Sequence, residues 1–125
     1  DYSLDLKFKL GLIQNQLAAK ELFVARFYIS TKKWVPAINR LKVIVKDYDQ
    51  TIFIEEALHR LVEINFHLGL VEEAKKYANI LGYNYNSSEW YEQSYKILNK
   101  DYKIKDLAKS KKEKGFIEKI LRKIR

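Results

Sequence analysis

The chain has 125 residues, 47% hydrophobic and 14% aromatic, with 4 Gly, 1 Pro and neither Cys nor Met. That composition excludes a disordered chain, a turn-rich all-β domain, disulfides and thiol chemistry. The formal charge of +8 is uneven: residues 100–125 hold 11 Lys/Arg against 4 Asp/Glu, so the body is near neutral and one end is basic.

Leu6, Leu10, Ile13, Leu17, Val24 and Phe27 recur at three- or four-residue spacing and predict one long helix from about Leu4 to Ser30 with that stripe inward. Lys32 and Lys33 form a short turn. Pro36 falls in the first turn of the next helix, where a missing N–H is tolerated, and Ala37, Leu41, Ile44 and Tyr48 line its inner face. A polar turn follows, with Thr51 as the expected N-cap of a third helix running to about Leu68. Ala57, Leu58, Leu61, Ile64 and Leu68 are its inward positions, and Gly69 suits the left-handed site after its end. Val71–Leu81 is the partner helix, closed by Gly82; Tyr83–Ser87 turns, and Ser88 caps a last helix, Glu89–Asn99.

The sequence also repeats weakly at 37 residues: Trp34 falls on Val71, Ala37 on Ala74, Ile44 on Leu81, Tyr48 on Tyr85 and Phe53 on Trp90. A period in that range without strand signals marks stacked helix pairs, none of which buries its apolar face alone. The expected fold is therefore all-α, a tetratricopeptide-like right-handed helical solenoid of antiparallel helix pairs. Residues 1–99 form the repeats, and 100–125 a basic linker with an amphipathic C-terminal helix. The start at Asp1 without methionine is what a fragment or processed form would show. No apolar run is long enough to span a membrane, and no signal peptide is visible.

Two stretches carry more than generic repeat character. One runs from Gln16 to Tyr28 and on into Trp34-Val35-Pro36-Ala37-Ile38-Asn39-Arg40; the other is Glu55–Glu63, then Leu68-Gly69-Leu70 and Leu81-Gly82-Tyr83-Asn84-Tyr85. Over roughly residues 4–95 the order and spacing resemble the BamD family, tetratricopeptide-repeat lipoproteins of the outer-membrane β-barrel assembly machinery, in its C-terminal half. The sequence departs from the family pattern at Lys32, where a Gly is usual, and at Asp49 and Asn86, where a Pro is usual. The resemblance implies a non-catalytic scaffold at the periplasmic face of the outer membrane, its lipid anchor outside this fragment. It further implies docking onto the POTRA region of BamA, and contact with other lipoproteins of the machinery. Asn39 and Arg40 match the family's Asn-Arg pair at that contact. Trp34, at the repeat's aromatic position, serves core packing or a partner hot spot.

Plainer explanations stand beside these. Arg40 can be solvated or paired within the chain. His59, Glu63 and His67 share an i, i+4, i+8 stripe, but a metal site needs ligands converging from more than one element, so helix packing is the ordinary reading and no metal or cofactor is expected. No spacing points to a catalytic residue. In the tail, Phe116, Ile117, Ile120, Leu121 and Ile124 share one face, while Lys119 and Arg122 belong to the basic one. That segment suits an anionic membrane, a partner helix or a groove of this domain. With little Arg and few aromatics it is not expected to bind nucleic acid. The competing class is an unrelated tetratricopeptide adaptor whose tail finds nucleic acid, anionic membrane or an acidic protein.

Overall fold

The structure, a computed structural model, describes residues 2–99; the tail positions Phe116, Lys119, Ile120, Arg122 and Ile124 lie outside the described residues. Five α-helices follow one another: α1 Tyr2–Ser30, α2 Trp34–Asp47, α3 Ile54–His67, α4 Val71–Asn84 and α5 Glu89–Leu98. There is no strand among the described residues. Packing runs in sequence, α1 on α2, α2 on α3, α3 on α4 and α4 on α5, with α3 also against α5. This is the stacked arrangement of helical hairpins expected from the repeat.

The period survives in three dimensions. α2 and α4 each have 14 residues and begin 37 apart, at Trp34 and Val71, and their C-caps are Tyr48 and Tyr85. Ala37, Leu41 and Ile44 are buried on α2, as are Ala74, Ala78 and Leu81 on α4. The turn preceding each helix carries a positive φ at the same repeat position, 60° at Lys32 and 82° at Gly69. α3 touches three neighbours and so buries most of its circumference, including Ala57, Leu58, Leu61, Val62 and Ile64.

Several expectations need correction. In α1 the buried residues are Ala18, Leu22 and Ala25, not the stripe of Leu6, Leu10, Ile13, Leu17 and Phe27, each of which is exposed. Apolar residues surround much of this helix, and the side with two alanines is the one that lets another helix approach closely. Thr51 does not cap α3: its hydroxyl donates to the Tyr48 carbonyl at 2.6 Å, closing the turn two residues before the Phe53 N-cap. Leu68 is the exposed C-cap of α3. α4 runs through Gly82 to Asn84, because Gly82 faces the Tyr91 ring so closely that a Cβ there would sit 2.6 Å from it. Ser88 does cap α5, accepting from the Trp90 amide at 3.1 Å.

Candidate docking site

Trp34, Asn39 and Arg40 all lie on α2 but not on one face. At 100° per residue, Trp34 stands about 140° from Asn39 and about 120° from Arg40. Trp34 is half-buried against the core, its ring 5.0 Å from that of His67 across the hairpin stack. Asn39 is exposed. The Arg40 side chain is 45% exposed, and its Nη1 donates to Glu21 of α1 at 3.1 Å. Arg40 therefore has the intrachain partner that the plainer reading allowed, and keeps about half its surface open beside it. An ion pair this exposed holds by roughly 0–1 kcal/mol, weak enough to exchange.

The Trp34 side of the molecule carries a trough. Its first part, about 530 Å³, is lined by Ile29, Trp34, Ile64, Phe66, His67 and Ile97 together with Arg60 and Glu63. A second part of about 540 Å³ shares Arg60, Glu63 and Ile97 and continues along α3 and α5 past Trp90 and Gln93.

Beneath the trough lies a polar network that sequence reasoning did not assemble. His59 Nδ1 is 2.7 Å from Ser94 Oγ, and its Nε2 is 2.6 Å from Glu63 Oε1. Nε2–H donates to the carboxylate, and the Ser94 hydroxyl meets the other ring nitrogen, Nδ1. Arg60 Nη1 donates to the same Oε1 at 3.0 Å, and its guanidinium lies 5.8 Å from the Trp90 ring centre. Burial alone pushes the Glu63 carboxyl up. The hydrogen bond and charge of His59, then those of Arg60, outweigh it and hold Glu63 below the ordinary carboxylate value. The Ser–His–Glu connectivity resembles that of a hydrolase triad, yet Ser94 is wholly enclosed and presents no face to a substrate. Its chemistry is to clamp α5 onto α3. A usable signal existed, since Ser94 stands 37 residues after the buried Ala57. His67 turns instead to Trp34, and no cluster of three metal-ligating side chains occurs among the described residues.

A second tie joins α1 directly to α3. Arg26 donates from Nε to Glu56 Oε2 at 3.0 Å and from Nη2 to Oε1 at 2.6 Å, a bidentate pair whose carboxylate is only 12% exposed.

Helical hairpins in repeat register, an exposed cationic flank and an open trough define a protein of tetratricopeptide-like repeats that offers surfaces. Residues 1–81 match the family described as YfiO, outer membrane lipoprotein, and the chain belongs to that family. It is 43% identical over 97 residues to the outer membrane protein assembly factor BamD of Rickettsia prowazekii, covering 78% of this chain and 39% of that protein. Against BamD of Caulobacter vibrioides the identity is 37% over 99 residues, 79% of this chain and 32% of the relative. The chain thus spans less than half the length of these relatives. Membership removes the reading as an unrelated adaptor. No helix among the described residues is long and apolar enough to cross a membrane, α1 included.

Proposed function

We propose that the chain is part of a non-catalytic scaffold subunit of the outer-membrane β-barrel assembly machinery. It docks onto the POTRA region of BamA at the periplasmic face of the outer membrane, where other lipoproteins of the machinery also meet it. Membership in an outer membrane lipoprotein family supports the setting, as do relatives named as assembly factors. The observation that carries the docking surface is the half-exposed Arg40, held by Glu21 on the outer flank of a preformed hairpin. Arg40 can exchange this weak internal pair for an acidic group on a partner, a charge-assisted contact at an exposed site. Asn39, exposed beside it, adds an amide to the same flank.

Charge reversal separates this role from an internal one. Arg40→Glu is expected to weaken co-purification with BamA by tenfold or more, about 1.4 kcal/mol, with helicity unchanged. Glu21→Gln breaks the same internal pair but leaves Arg40, and is expected to bind within about twofold of wild type. If Arg40→Glu binds as well as wild type, or Glu21→Gln fails equally, Arg40 is not the contact.

A further inference from the structure

The trough on the α3/α5 side has an occupant within the chain itself. Its two parts are continuous through Arg60, Glu63 and Ile97, which gives it the length of a short helix rather than of one side chain. Its walls are apolar at Ile29, Trp34, Ile64, Phe66 and Ile97. Its middle carries Arg60 and Glu63, paired with each other at 3.0 Å, and Lys96 lines the second part. The contacts of His59 and Arg60 with Glu63 both fall on Oε1, which leaves Oε2 for another donor.

Residues 116–125 match those demands from the sequence side. Phe116, Ile120 and Ile124 recur at four-residue spacing on one face, about 12 Å end to end if helical, and Glu118 lies among Lys119, Arg122 and Lys123. Glu118 can meet the part-exposed Arg60 or Lys96, and one of the segment's cations can meet Glu63, whose side chain is 37% exposed. The connection also reaches. Ile97 is part of the trough wall, and the described chain leaves α5 at Asn99 immediately beyond it. Residues 100–115 then give 16 residues of connector, roughly 50 Å when extended. A smaller groove between α4 and α5, lined by Ala78, Asn79, Tyr91 and Tyr95, is about 280 Å³, half the size of either part of the trough.

The geometry points to residues 116–125 docking their apolar face into the α3/α5 trough. This is independent of the BamA contact proposed above, which centres on Arg40, about 120° round α2 from Trp34.

The chain has no cysteine, so two introduced thiols can pair only with each other. In the full chain, His67→Cys with Ile120→Cys tests one end of the trough, and Gln93→Cys with Ile120→Cys the other. Asn79→Cys with Ile120→Cys is the control in the α4/α5 groove. Under mild oxidation, at least one trough pair is expected to close an intramolecular disulfide about tenfold faster than the control, because a docked segment raises the effective concentration above that of a loose tether. Adding Phe116→Asp and Ile124→Asp should erase the difference. Equal rates for all three pairs, a faster control, or disulfide-linked dimers would overturn the assignment. Equal rates together with cosedimentation on phosphatidylglycerol vesicles would give the segment to a lipid surface, which also overturns it.

Discussion

Lys32 turns the first hairpin at φ 60°, where Gly69 turns the second at 82°. The left-handed conformation costs a residue bearing a Cβ about 1–2 kcal/mol, while glycine adopts it freely at some loss of unfolded-chain entropy. Lys32→Gly is therefore expected to stabilise the fold by about 0.5–1 kcal/mol, a rise of roughly 2–8 °C in melting temperature by circular dichroism. A drop would mean that the Lys32 side chain holds something the backbone argument omits. Glu63 supplies a second test at this scale. Its carboxyl titrates below the reference value of 4.5 in the folded chain, so its contribution to stability is complete above about pH 4.5. It is lost as pH falls through the lower folded value. Glu63→Gln should melt lower than wild type at pH 7, with the gap narrowing steadily as the pH falls below 4.5. A gap that stays constant with pH would show that shape rather than charge matters there.

At the scale of elements, the helices and turns were legible because each bears a local mark. Thirty-seven-residue spacing set α2 and α4 in register, Ser88 set the start of α5, and Gly69 the end of α3. What the sequence hid was which side of an element faces in. α1 has apolar residues on several sides, so periodicity picked the bulky stripe while packing chose the side of Ala18 and Ala25. Long-range polar pairs such as Arg26–Glu56 and His59–Ser94 join residues 30 and 35 apart, and no local pattern announces them. Arg40 was singled out through family likeness, and its pairing with Glu21 carried no local mark. Gly82 also belongs here: its value lies in the approach of α5, not in ending α4. Gly82→Ala, which in an open helix would gain about 1 kcal/mol, is instead expected to cost about 1–3 kcal/mol by displacing Tyr91. Adding Tyr91→Ala should return part of it. If Gly82→Ala alone raises the melting temperature, the two helices are not held as described.

For the whole molecule, burial is concentrated from Ala18 onward. Leu4, Leu6, Phe8, Leu10, Leu12 and Ile13 are 49–67% exposed along the first half of α1; Leu6, Leu10 and Ile13 share one side of the helix and Leu4, Phe8 and Leu12 another, apolar surface of the kind that drives association. Replacing Leu6, Leu10 and Ile13 together by Glu should remove concentration-dependent light scattering and leave the thermal midpoint within about 2 °C, since none of the three is in the core. A collapse of the midpoint would place that half of α1 in the cooperative unit after all.

The 29 residues of α1 measure about 43 Å and the 14 of α2 about 21 Å, so about half of the first helix overhangs the hairpin that seats it. A pull on Tyr2 acts through a long arm on the short stretch that seats Ala18, Leu22 and Ala25. The Arg26–Glu56 fork sits just behind that fulcrum and ties the rod past α2 to α3. Load on the overhanging part is therefore shared by the second hairpin.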